Sequence, residues 1–176
     1  YVGQTSGKTY GVIRNALGGV LFIDEAYTLV GDESDTFGKE AINTLVAELE
    51  NRRDSLMVIV AGYADKMDKF LDVNQGLASR LSNEVVFEDY SEDELIEIFS
   101  YMTAQKNLSL EEGALEDVKQ LIEEKRKQVK DFGNARGVRN ILEDIIKKKN
   151  SRIVAALKGK NELPAKEELT TIKRED

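Results

Sequence analysis

The run Gly18-Gly19-Val20-Leu21-Phe22-Ile23-Asp24-Glu25-Ala26 constrains this chain most. Its four large apolar residues stand between a Gly-Gly turn signal and two acids, too few for a buried helix. They suit a strand covered on both faces of a parallel sheet. Asp24 and Glu25 then fall at the carboxyl end of that strand, the edge where open α/β sheets bind ligands. A strand running into a solvated acidic turn accounts for the same letters. If the pair is functional, nucleotide hydrolysis suits it. One carboxylate at a strand tip holds Mg2+ through its water shell, and a second, one residue on, orients or deprotonates a water facing the γ-phosphate.

Val20 to Glu25 resembles a Walker B motif, and the wider string GGVLFIDEAYTLV is similar to one branch of the AAA+ ATPases. That branch holds the red-type Rubisco activases and the stage V sporulation protein K relatives. The resemblance implies an α/β fold, a partial AAA+ parallel-sheet nucleotide-binding core followed by an α-helical lid subdomain. It implies ATP and Mg2+ as cofactors, with Asp24 on the metal and Glu25 as the catalytic base.

Composition narrows the alternatives. The 176 residues suffice for one or two small domains. The net charge of -8 counts against a general nucleic-acid or acidic-membrane binder. With no cysteine and no histidine, disulfides, thiolate metal sites, zinc centres and histidine triads are excluded. No apolar stretch reaches the roughly 18 to 20 residues that span a bilayer. No leader of charged, apolar and small residues is visible, so the expectation is a cytoplasmic protein without a membrane span.

Gly3-Gln4-Thr5-Ser6-Gly7-Lys8-Thr9 imitates a phosphate-binding loop but fails its pattern. The first glycine should stand where Val2 does, no strand precedes it, and about fifteen residues before Asp24 are too few for the intervening elements. The resemblance gives the segment another role: Tyr1-Val2-Gly3 as an aromatic pore loop, and Thr5 to Leu17 as the helix after it. It implies that the true P-loop lies upstream, that this chain is a fragment, and that the fragment alone turns over no ATP. A frayed terminus is the plainer reading of Tyr1.

Further along, Gly31 to Thr36 is a polar loop, by resemblance a second pore loop and otherwise a solvated connection. Phe37 to Asn51 has helical spacing through Ala41, Ile42, Leu45, Val46 and Leu49, with Glu48 and Arg52 expected as a solvated pair. Ser55 to Gly62 is a second buried-strand pattern, completing a βαβ unit. By resemblance Tyr63 at its tip sits at the level of sensor one; the alternative is a buried tyrosine with a bonded hydroxyl. Ala64 to Leu71 reads as a short helix and Glu84 to Phe87 as a third strand.

Between them, Asn74-Gln75-Gly76-Leu77-Ala78-Ser79-Arg80 matches the branch's N-x-G-x-x-S-R pattern. The resemblance makes Arg80 an arginine finger acting on a neighbour's nucleotide, where a permanently charged, many-donor guanidinium is apt. A surface arginine paired with an acid is the alternative.

From Ser91 the chain turns helical. Capping boxes are expected at Ser91 with Glu94 and at Ser109 with Glu112. Apolar stripes run through Leu95, Ile98, Phe99 and Met102, through Leu115, Val118, Leu121 and Ile122, and through Val138, Ile141, Leu142, Ile145 and Ile146. Gly133 to Asn140 resembles the G-x-A-R-x-x-R of a sensor-two helix, with Arg136 contacting phosphate and Arg139 in support. Solvated helix residues near Asp131 and Glu143 are the alternative.

The expected organisation is 1–90 as the C-terminal part of the large subdomain, 91–157 as the lid, and 158–176 as a charged tail or short helix. The resemblance implies a ring, a hexamer, that remodels a protein substrate; a vestigial interaction module and a nucleic-acid-linked ATPase are the alternatives.

Overall fold

The computed structural model describes residues 4–31, 36–129, 131–158 and 164–176. Tyr1, Val2 and Gly3, and residues 32–35 at the centre of the second expected pore loop, lie outside the described residues. The chain divides into two compact units, Tyr1–Val86 and Phe87–Asp176.

In the first unit, helix α1 (Gln4–Asn15) leads through Gly18, whose φ of 78 suits glycine, into strand β1 (Val20–Ile23). Gly7, Lys8 and Thr9 lie inside α1, not in a loop before a helix. A 3-10 turn (Ala26–Leu29), helix α2 (Thr36–Asn51) and strand β2 (Met57–Val60) follow. The strands pair in parallel, Val20 opposite Met57 through Ile23 opposite Val60. Helices α3 (Ala64–Asp72) and α4 (Gln75–Arg80) complete the unit. Its core gathers Ile13, Ile42, Leu45, Leu56, Phe70 and Leu77, onto which Leu21, Ile23, Val58 and Val60 pack.

Three expectations need correction here. The sheet is covered on one face only: the alternate residues Val20, Phe22, Met57 and Ile59 are exposed, because no described element packs on their side. Residues 84–87 form no strand, although Val85, Val86 and Phe87 are apolar. An extended segment counts as a strand only where it pairs, and among the described residues it pairs with neither β1 nor β2. The Glu48–Arg52 pair is not a solvated one, since Glu48 is buried and the Arg52 guanidinium, its main hydrogen-bond donor, holds its carboxyl below the usual range.

The second unit packs α5 (Glu92–Gln105) against α6 (Ala114–Gln128) and α7 (Ala135–Leu157). Ser91 and Glu94 form a reciprocal capping box at the start of α5. The second expected box is absent. Ser109 lies in a short strand, β3 (Ser109–Leu110), and α6 starts after the left-handed Gly113. Leu115 is exposed while Ala114 takes the buried position of its stripe. The core is Leu95, Phe99, Val118, Ile122, Val138, Leu142 and their neighbours, closed by Ile172.

Ile172 belongs to β4 (Thr171–Ile172), which follows the short α8 (Lys166–Thr170) and pairs in parallel with β3. Charge fastens the same segment. Arg152 donates to both oxygens of Asp176 at 2.8 and 2.9 Å, and Arg174 to both oxygens of Asp117 at 2.6 and 2.9 Å. Burial pushes the Asp176 carboxyl up, but the bonds from Arg152 and Lys173 outweigh it and the net shift is down. The Arg174 bond likewise holds Asp117 low, and the Ser91 cap holds Glu94 low.

Each of these carboxyls thus has a folded pKa below its unfolded value of 3.8 or 4.5. The stability they give is complete above the unfolded pKa and is lost as pH falls through the folded one. Melting temperature is therefore expected to hold steady from about pH 8 to 6 and to fall progressively below about pH 4.5. A profile that stayed flat to pH 3 would remove these pairs from the account.

Candidate active site

Asp24 and Glu25 stand at the carboxyl end of β1, and both are exposed. The Asp24 Oδ1 accepts the Glu25 N–H at 3.0 Å, which fixes the first carboxylate against the turn. Glu25 itself has φ 49 and ψ 43, the left-handed region. For a residue with a Cβ this conformation costs about 1–2 kcal/mol, so the surroundings must impose it. They do so on both sides: Thr28 N–H donates to Glu25 O at 2.8 Å, and Ala26 N–H to Ala61 O at 3.0 Å. The second bond ties the tip of β1 to the tip of β2.

Beside this turn, Tyr27 and Tyr63 lie with ring centroids 6.3 Å apart. The Lys66 Nζ sits 4.7 Å from the first ring centroid and 5.1 Å from the second. Burial, and then the Glu25 carboxylate acting through its charge and as acceptor of the phenolic hydrogen, raise the Tyr27 hydroxyl above its ordinary pKa. Tyr27 thus stays neutral at physiological pH. Tyr63 is 48% exposed at the N-terminal end of α3, so the alternative of a buried tyrosine does not hold. Gly62 is required where it stands: a Cβ would come 2.7 Å from Met67 Sδ and 2.8 Å from the Tyr27 ring.

Arg80 ends α4. Its Nη2 pairs with Glu50 Oε2 at 3.0 Å, and its Nη1 donates to Gly76 O at 3.2 Å. Asn74 caps the helix by accepting the Gly76 N–H at 2.7 Å. An exposed pair of this kind is worth at most about 1 kcal/mol, so Glu50 holds the guanidinium only weakly.

In the second unit, Gly133 (φ 76) and Asn134 (φ 50) turn the chain into α7. The Asn134 amide donates to Asp89 Oδ1 at 2.7 Å and accepts the Tyr90 N–H at 3.1 Å. That stitch fixes where the first turn of α7 begins. Arg136 and Arg139 lie on that turn and the next, both exposed, and among the described residues neither is in an ion pair. The structure brings Asp24, Glu25 and Tyr63 together at neighbouring strand tips; Arg80 lies apart from them at the end of α4.

Sequence reasoning missed Tyr27, Lys66, Glu50 and Asn134. For Lys66, a signal was available in the i, i+3 spacing of Tyr63 and Lys66 at the start of a helix, which puts an ammonium beside an aromatic ring. No described helix is long and apolar enough to cross a membrane.

Comparison with known proteins bears on this geometry. The family model described as "ATPase family associated with various cellular activities (AAA)" matches residues 1–89, and one described as "AAA lid domain" matches residues 91–176. The ribulose bisphosphate carboxylase/oxygenase activase of Cyanidioschyzon merolae is 43% identical over 100% of this chain and 59% of its own length. Protein CbbX of Cereibacter sphaeroides is 40% identical over 100% of this chain and 56% of its own length. The ESX-3 secretion system protein EccA3 of Mycobacterium tuberculosis is 40% identical, again over 100% of this chain but 30% of its own length. The chain spans 60% of the length of the CfxQ homologs of Trieres chinensis and Cyanidium caldarium. An α/β unit with parallel strands followed by a helical unit, matched throughout by these two models, places the chain in the AAA family of ATPases, as an AAA segment followed by an AAA lid.

Proposed function

We propose that this chain forms part of an ATP-hydrolysing ring, a hexamer, that remodels a protein substrate in the cytoplasm. The observation carrying this reading is the Asp24 and Glu25 pair at the carboxyl end of β1, with Glu25 held in a left-handed turn. The donor set suits Mg2+. It is two adjacent carboxylates without imidazole or thiolate, and among the described residues no three acids gather as they would around a fully protein-bound ion. Mg2+ keeps most of its water and takes one or two carboxylates with substrate phosphates.

Asp24 would hold that ion and supply no other chemistry. Glu25 would take the proton of the attacking water, and Tyr63, at the neighbouring strand tip, would help to place that water. Arg80 would leave Glu50 to reach the nucleotide of an adjoining subunit, where charge spreads over the transferred phosphoryl group. Arg136, supported by Arg139, would read the phosphates from the lid. Tyr1, Val2 and Gly3 would grip substrate in the ring's pore. One relative's name, an activase of ribulose bisphosphate carboxylase/oxygenase, supports a folded protein as the substrate class.

Mixed rings test the shared site. In the full length its gene encodes, Arg80→Ala and Glu25→Gln are each expected to be silent alone. Mixed in equal amounts they are expected to recover about a quarter of wild-type turnover, since that share of interfaces joins an intact Glu25 to an intact Arg80. Assembled mixed rings without recovery would sink the role in trans. Absence of hydrolysis by the assembled wild type would sink the whole reading.

A further inference from the structure

Asn134 stands one residue before α7 with φ 50 and ψ -123, outside the left-handed region that asparagine tolerates and in territory suited to glycine. An asparagine at the head of a helix ordinarily caps it, its side chain accepting an N–H of the first turn. This one does not. The Arg136 and Gly137 N–H groups go to Gly133 O at 2.9 and 3.4 Å, and the Asn134 side chain makes no cap bond. Glycine would suit this backbone better and serve the helix end nearly as well. What glycine lacks is the amide.

Both bonds of that amide leave the helix. Its Nδ2 donates to Asp89 Oδ1 at 2.7 Å and its Oδ1 accepts the Tyr90 N–H at 3.1 Å, partners 45 and 44 positions earlier in the chain. Beside them the Ser91 N–H donates to Glu94 Oε2 at 2.8 Å, within the cap of α5. The heads of α5 and α7 are thereby tied by this side chain, close to where the chain enters the second unit. Arg136 follows two residues on, exposed. A guanidinium that meets phosphate through paired, directional bonds loses much of its hold when its origin shifts by about 1 Å.

We infer that Asn134 is a positioning residue for Arg136: its amide holds the head of α7 against Asp89 and Tyr90, and so sets where the arginine stands to receive phosphate. The inference rests on the phosphate-reading role proposed for Arg136 above. Asn134 itself touches no nucleotide.

The experiment titrates the full-length protein with Mg2+ and a non-hydrolysable ATP analogue, beside thermal melts and amide exchange without nucleotide. Asn134→Gly is expected to weaken binding about fivefold and Arg136→Ala about tenfold. Together they weaken it about tenfold and not the roughly fiftyfold of independent sites, because one residue acts through the other. The glycine variant melts within about 3 °C of wild type, since released backbone strain offsets the lost bonds, and its Tyr90 N–H exchanges several-fold faster. Asn134→Asp, which sets two carboxylates against each other, weakens binding at least as much. Adding Asp89→Asn exchanges donor and acceptor across the same bond and returns affinity to within about twofold of wild type.

Losses that multiply in the double variant would make the stitch a general support of the fold and overturn the inference. So would unchanged binding or unchanged Tyr90 exchange in Asn134→Gly. Failure of Asp89→Asn to rescue Asn134→Asp would overturn it too, and that arm decides if the glycine variant does not fold. Arg136→Ala binding as wild type does would remove the arginine's role and this inference with it, leaving hydrolysis at Glu25 standing. A wild type that binds the analogue without hydrolysing ATP takes down the hydrolytic reading alone, and one that does not bind takes down both.

Discussion

Glu25→Gln is expected to lower ATP turnover by about 10²–10³-fold while leaving the fold in place. The amide has the volume of the carboxylate and adopts the same left-handed backbone, but it cannot take a proton from water. The Asp24 Oδ1 accepts from the main-chain N–H of residue 25, a bond that survives the change. Phosphate release under saturating MgATP, beside a thermal melt, checks both halves. A second substitution separates chemistry from strain. Glu25→Gly removes the Cβ from a residue at φ 49, so it should match or exceed wild-type stability, by up to about 1 kcal/mol, while being as inactive as the glutamine variant. A gain in stability with loss of turnover would identify the turn as a place where conformational comfort is given up for function. Retention of wild-type turnover by Glu25→Gln would remove Glu25 from the chemistry.

Gly137→Ala is expected to cost the second unit about 3 kcal/mol or more, a fall in melting temperature on the order of 10–20 °C for a domain of its size. The added Cβ would lie 2.3 Å from Phe132 O and 2.8 Å from the Phe132 ring. A ring can turn away, but a carbonyl oxygen is fixed by the backbone leading into Gly133 and Asn134, whose left-handed conformations leave that turn little freedom. The clash falls in the first turn of α7, beside Arg136. Even a variant that folds should therefore present that arginine out of place. Differential scanning calorimetry reads the first effect. A transition within about 2 °C of wild type would show that the turn yields more readily than its geometry implies.

Local pattern made much of this fold legible. The apolar runs at Val20–Ile23 and Met57–Val60 are strands, the spacing of Ile42 and Leu45 is a helix, and Ser91 with Glu94 is a cap. What stayed hidden depends on partners distant in the chain. Ser109 and Glu112 spell a capping box, yet Thr171, 62 residues on, recruits Ser109 into a strand. Val85, Val86 and Phe87 spell a strand, but a strand is made by pairing, and the letters cannot say whether a segment pairs. In the site, adjacency announced Asp24 and Glu25. The contact of Lys66 with Tyr27 and the pairing of Arg80 with Glu50 join residues some thirty or more positions apart, which only the folded chain brings together.

The clasp between β3 and β4 also sets an order of events during synthesis. Ile172 belongs to the core that Leu95, Phe99 and Leu142 build, and Arg174 fastens to Asp117. A ribosome that has already delivered Leu110 must add 61 more residues before Thr171 emerges, roughly 3–12 s at ordinary elongation rates. Through that interval the core begun on α5, and joined by α6 and α7 as they are made, lacks Ile172 and is open to any chaperone that recognises bare aliphatic surface.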